Sequence, residues 1–94
     1  AEALGAAFAG SLTMGAGQFC TNPGLVLALA GPDCNRFVAA ASAALGAVSP
    51  QVMLTPGIAA AYAGGVARLE AHTGTTRVAR GQGEAANHCT PALF

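Results

Sequence analysis

The sequence has no lysine and almost no charge of either sign. Four arginines balance four acids over 94 residues, for a formal net charge of zero. Charged residues make up 9% of the chain, against about 25% in an ordinary soluble domain. A nucleic-acid binder needs a basic face to displace counterions, and none can be assembled here. Long apolar runs are missing too. The longest, Leu25–Ala30, falls far short of the roughly 20 residues that cross a bilayer, so no membrane partner is expected. No basic stretch followed by an apolar run opens the chain, and no signal peptide is read. Aromatics are scarce, at 5%, but no fixed-period repeat accompanies them, which argues against a low-complexity structural protein. The three cysteines, Cys20, Cys34 and Cys89, are odd in number and irregularly spaced. A secreted disulfide framework is thereby disfavoured; free thiols in a reducing compartment, the cytoplasm, are expected.

What is present is mostly small and apolar. Hydrophobic residues reach 53%, but 24 of these 50 are alanine, leaving 26 with a side chain larger than a methyl. A domain of this size buries only roughly 60–65% of its surface, so a self-contained core would be thin. The composition reads as a section of something larger, with both ends cut in mid-architecture.

Along the chain, Leu4, Phe8 and Leu12 recur four apart within 2–14, one narrow stripe of a helix. Gly15 and Gly17 weaken it, and Pro23 pushes Asn22 out of helical geometry, so 18–22 is a loop. Leu25–Ala30 is apolar on both faces, the pattern of a central strand in a parallel sheet. Gly31-Pro32-Asp33 breaks it and starts a helix over about 33–47, which Ser49-Pro50 ends. Thr55-Pro56 reads as an N-cap with proline at the first helical position. Ile58, Tyr62, Val66 and Leu69 follow at helical spacing, and Gly74 terminates. The Gly64-Gly65 pair inside that helix is unfavourable by about 1 kcal/mol per glycine unless a neighbour packs closely. Residues 75–80 read as a short strand, 81–89 as a polar loop, and 92–94 as the beginning of a strand. The order is α/β.

One segment is much more specific than the rest: Gly17-Gln18-Phe19-Cys20-Thr21-Asn22-Pro23-Gly24. It resembles the active-site cysteine motif of the aldehyde dehydrogenase superfamily, Gly-Gln-x-Cys, set after a helix and before a strand. The longer string GQFCTNPGLV is similar to the branch holding ketoglutarate-semialdehyde (2,5-dioxovalerate) dehydrogenases and NADP-dependent fatty-aldehyde dehydrogenases. SLTMGAG before the cysteine and MLTPGIAAAY after it extend the resemblance over effectively the whole chain, fading at 81–89. It implies that residues 1–94 are part of a three-layer catalytic domain, ordered helix, Cys loop, strand, helix, helix, strand, strand. The cofactor-binding and oligomerisation regions would lie outside this chain.

The resemblance implies a role for Cys20 that its chemistry supports. A thiolate is the nucleophile, and a free cysteine near pKa 8.5 must be activated by its surroundings. Cys20 would attack an aldehyde to give a thiohemiacetal, with its backbone N–H helping to hold the oxyanion. Hydride would then pass to NAD or NADP, and water would release a carboxylate from the thioester. No metal is implied. A short semialdehyde is preferred over a long-chain aldehyde, on resemblance alone. Phe19, Thr21 and Met14 would line the acyl pocket, although as an isolated string Phe19 and Thr21 read equally as packing residues. Gln18 and Gly17 would position the loop, a solvent-facing glutamine being the equal alternative, and Asn22-Pro23-Gly24 reads as turn chemistry. Commoner branches carry a bulky residue and an asparagine where this chain has Thr13, Met14, Gly15 and Ala16, which leaves the substrate range open. The general-base glutamate and second oxyanion donor of the family have no match here, nor does any G-x-G-x-x-G follow a strand.

Remaining candidates are weaker. His72, His88 and Cys89 fit no zinc spacing, Cys34 reads as packing, and Arg77 with Arg80 reads as a solvated face. Glu70 beside Arg68 and His72 is not a candidate base. The partners implied are an aldehyde, the remainder of the same enzyme and further copies of it in a homo-oligomer. The chain alone is expected to be inactive. From another class, the rival is a small non-catalytic α/β binding or scaffold module.

Overall fold

A computed structural model describes residues 1–94. The first helix, α1, runs Glu2–Thr13, and a second, α2, runs Pro32–Gly46. They cross closely because α1 presents small residues. Gly5 and Ala9 are buried, and a Cβ on Gly5 would stand 2.5 Å from the Phe37 carbonyl oxygen of α2. Phe8 and Phe37 flank this contact with ring centroids 5.6 Å apart, tilted by 55°. Leu45, completely buried, sits with Ala9 and Ala79 at the centre of the core.

The third helix, α3, spans Pro56–Ala71. Its start is as the sequence predicts: Thr55 is the N-cap, and its Oγ1 accepts a hydrogen bond from the Ile58 N–H at 3.1 Å. The strands are two residues each: β1 Gln51–Val52, β2 Ala79–Arg80, β3 His88–Cys89 and β4 Ala92–Leu93. They form two separate antiparallel pairs. In β1–β3, Gln51 faces Cys89 and Val52 faces His88. In β2–β4, Ala79 faces Leu93 and Arg80 faces Ala92. The chain is thus a mixed α/β arrangement of three helices and short strands.

Three expectations are corrected. Leu25–Ala30 forms no strand. The run is apolar on both faces, but no other segment forms backbone hydrogen bonds with it to make a ladder. Leu25, Leu27 and Leu29 are consequently 80%, 88% and 92% exposed. The strand read over 75–80 shrinks to Ala79–Arg80, and β3 falls inside the stretch read as a loop, because pairs this short leave no periodic signal. Finally, Gly64 and Gly65 receive no close neighbour: a Cβ there would meet only the Arg68 side chain, at 3.6 and 3.7 Å.

Eight of 94 residues are buried, and the accessible surface is 5947 Å². A folded monomer of this mass exposes about 4,900 Å² by the usual area scaling. Large apolar side chains contribute to it: α3 buries only Val66, leaving Ile58 and Leu69 at 40% and 44% exposure. No helix is long and apolar enough to cross a membrane.

Candidate functional site

The chain leaves α1 through a tight 3-10 turn, Met14–Gly17. Gly15, Ala16 and Gly17 all take positive φ, at 57°, 59° and 74°. Glycine adopts this left-handed geometry freely; alanine does so at a cost of roughly 1–2 kcal/mol. The three residues reverse the chain sharply at the end of α1. Gly15 also lies under the Phe19 ring, which a Cβ at that position would overlap.

Cys20 follows on an exposed β-turn. The Asn22 N–H donates to the Phe19 carbonyl at 3.1 Å, so Cys20 and Thr21 are the two central residues. The Cys20 N–H donates to no backbone carbonyl. Gln18 ties one flank of the turn down. Its Nε2 donates to the Gly15 carbonyl at 3.0 Å and the Val52 carbonyl at 3.3 Å, and its Oε1 accepts from the Leu54 N–H at 2.7 Å. These bonds link the Cys20 loop to β1, more than thirty residues away in sequence. Asn22 ties the other flank, its Nδ2 donating to the Leu12 carbonyl at 3.0 Å.

A cleft of about 440 Å³ opens beside the turn, walled in part by Leu12, Gln18, Asn22, Met53, Tyr62 and Cys89. Gly17 lines it as well, but Cys20, Phe19, Thr21 and Met14 lie outside it. Cys20 and Thr21 are exposed, and Phe19 and Met14 stand 54% and 55% exposed. The far wall of the cleft carries a polar cluster. The Tyr62 O–H donates to the Thr90 carbonyl at 2.7 Å, and the Arg80 guanidinium lies 5.8 Å from the Tyr62 ring centroid. Burial pushes the Tyr62 phenol above its ordinary pKa, the Arg80 charge pulling against it. Burial likewise pushes the Cys89 thiol up, with Arg80 again opposing.

Arg80, read from the sequence as part of a solvated face, is instead half-buried, with one guanidinium nitrogen buried and unpartnered; other weak candidates find ordinary partners. Glu70 pairs with Arg77 at 2.7 Å, and the His72 Nδ1 accepts from the Gly74 N–H at 2.9 Å. No three His, Cys, Asp or Glu side chains gather where they could hold one ion. Nor do these residues build a dinucleotide cradle, which needs free N–H groups on a glycine-rich turn at a helix start. Glu2 and Asp33 put acids in the first turns of α1 and α2. Pro56 removes a donor from α3, and Thr55 occupies another. The reach of Gln18 to Leu54, of Asn22 to Leu12, and the Tyr62–Arg80 contact carry no local sequence signal.

An exposed cysteine on a turn anchored at both flanks is an arrangement suited to a nucleophile. Proteins similar in sequence point to a class of enzyme, the semialdehyde dehydrogenases. Over 85 residues, 90% of this chain, it is 51% identical to alpha-ketoglutaric semialdehyde dehydrogenase 2 of Azospirillum brasilense. It is 36% identical, also over 85 residues, to alpha-ketoglutaric semialdehyde dehydrogenase of Acinetobacter baylyi. The resemblance drawn from the cysteine motif is borne out: the chain is homologous to a segment of these enzymes. It spans 16% of the length of each relative. No protein-family model matches the chain. These matches do not favour a non-catalytic scaffold module.

Proposed function

We propose that this chain is the nucleophile-bearing part of the three-layer catalytic domain of an NAD(P)-dependent aldehyde dehydrogenase. Its substrate is a short semialdehyde such as 2,5-dioxovalerate, and the product is the carboxylate. The 51% identity over 85 residues with an alpha-ketoglutaric semialdehyde dehydrogenase is the observation that carries this reading. The exposed large apolar side chains support it, since those faces suit the interior of a larger enzyme. The partners are the substrate, the remainder of the same polypeptide and further copies in a homo-oligomer. The odd, irregularly spaced cysteines support a cytoplasmic setting.

The step this chain supplies is the addition. The Cys20 thiolate forms a bond to the aldehyde carbon, and the carbonyl π pair moves onto oxygen. Developing charge there is stabilised by donors already pointed at it, and the Cys20 N–H, with no backbone acceptor of its own, is placed to be one. Gln18 and Gly17 hold the turn, and Phe19, Thr21 and Met14 contribute one face of the acyl pocket. The redox step is assigned to no residue of this chain.

The test is a graft. Residues 1–94 replace the matching segment of the Azospirillum relative, and oxidation of alpha-ketoglutaric semialdehyde is followed by formation of reduced NAD(P). Turnover is expected, with Cys20→Ser lowering it by about three orders of magnitude or more, while Cys34→Ser and Cys89→Ser retain it. Undiminished turnover in Cys20→Ser would overturn the reading.

A further inference from the structure

Resting on the reading of Cys20 as the nucleophile, we propose that Asn22 is a positioning residue for the Cys20 thiol. It acts through a hydrogen bond for which Gly17 leaves the space. A β-turn closed by a single backbone bond can pivot about its two ends. One end of the Cys20 turn is fixed through Gln18 to Val52 and Leu54. The other is fixed by the Asn22 side-chain amide, which reaches ten residues back to the Leu12 carbonyl at 3.0 Å, partly shielded from water. Leu12 stands in the last turn of α1, where carbonyls run out of helical N–H partners.

Gly17 leaves room for this bond. A Cβ there would stand 3.1 Å from the Asn22 Nδ2 and 3.2 Å from the Leu12 oxygen, crowding donor and acceptor together. Gly17, Asn22 and Leu12 therefore form one unit, and that unit sets the distance between the thiol-bearing turn and the end of α1. The Asn22 amide bonds the Leu12 carbonyl and not the Cys20 sulfur. Its effect is on where the sulfur stands, and displacement of a reacting group by about 1 Å costs on the order of 100-fold in rate.

The experiment uses the grafted enzyme with Cys20-dependent turnover established first; without that turnover, the reading of Cys20 fails before Asn22 is tested. Asn22→Ala removes the amide, and Asn22→Asp keeps its shape while removing the N–H donor. Both are expected to lower kcat about 10- to 100-fold, with KM within about threefold and the pH of half-maximal rate unmoved. Gly17→Ala is expected to lower kcat at least as much, since it crowds the bond and also places a Cβ on backbone held at φ 74°. Where Asn22→Ala does not accumulate folded, the Asp variant decides by the same criteria. The proposal is overturned if a folded Asn22 variant keeps kcat within about twofold of its parent. It is equally overturned if both Asn22 variants fail to fold, since Asn22 would then hold the fold and not the thiol.

Discussion

Gly5 and Gly10 lie on the same helix, yet an alanine at each meets opposite surroundings. A Cβ at Gly10 has nothing within 4 Å. At Gly5 it would stand 2.5 Å from the Phe37 oxygen and 3.0 Å from both the Ala40 Cβ and the Ala41 nitrogen. Replacing glycine by alanine inside a helix stabilises it by about 0.8–1 kcal/mol, and at Gly10 that is the whole effect. At Gly5 the carbon–oxygen contact falls roughly 0.8 Å short of the closest ordinary C···O approach of about 3.3 Å. The offending atom is backbone and cannot swing aside, so α1 and α2 must separate, and overpacking of this kind costs about 1–3 kcal/mol. The helix-propensity gain is common to both variants and cancels between them, which leaves Gly5→Ala less stable than Gly10→Ala by about 1–3 kcal/mol. Urea unfolding of the two variants, followed by far-ultraviolet circular dichroism, measures the difference. With a denaturant slope of about 1 kcal/mol per molar for a chain this small, the midpoints separate by about 1–3 M. A Gly5→Ala midpoint equal to or above that of Gly10→Ala would refute the close α1–α2 crossing.

Further outcomes follow from the site. Gln18→Glu keeps the acceptor for the Leu54 N–H but sets a carboxylate oxygen against the Gly15 and Val52 carbonyls. In the grafted enzyme it is expected to lower kcat about tenfold or more, no better than Gln18→Ala; activity near that of the parent would show that the clamp is idle. Tyr62→Phe leaves the Thr90 carbonyl without its donor and is expected to cost about 1–2 kcal/mol in thermal unfolding; an unchanged midpoint would contradict that bond. Because burial raises the Cys89 pKa and Arg80 opposes the shift, less Cys89 thiolate is present at a given pH than for an ordinary thiol. Alkylation of Cys89 therefore lags, and Arg80→Gln, by removing the opposing charge, moves the lag to still higher pH; a shift to lower pH would reverse the assigned sign. Cys20, exposed where Cys34 and Cys89 are half-buried, is expected to be alkylated first, as peptide mapping after brief labelling would read out.

Local chemistry was legible in the sequence, and long-range partnership was not. Thr55-Pro56 announces the start of α3 because a cap and a proline act within one turn. Gly15 and Gly17 mark the end of α1 for the same reason, but Ala16 between them takes an equally left-handed φ that no alanine advertises. Gln18 and Cys20 stand out by motif, whereas what Gln18 holds lies at Val52 and Leu54, and nothing in either stretch names the other. Asn22 looks like ordinary turn chemistry until the Leu12 carbonyl is seen beside its amide. Leu25–Ala30 is the instructive miss. Its pattern records the environment the residues are suited to, and a strand needs neighbours as well as a suitable pattern.

Those six residues also bear on how such a chain survives its own synthesis. From Gly24 to Pro32 there is no charged side chain, and Leu25, Leu27 and Leu29 stand open to water. Short, uncharged, apolar segments with unpaired backbone are the ones that stack against identical copies of themselves. A proline flanks the run at each end, Pro23 and Pro32, but the nearest charge, Asp33, lies at one end alone. The first surface to reach Leu25–Ala30 as it emerges, whether its own polypeptide or a second copy, decides between a working molecule and an aggregate.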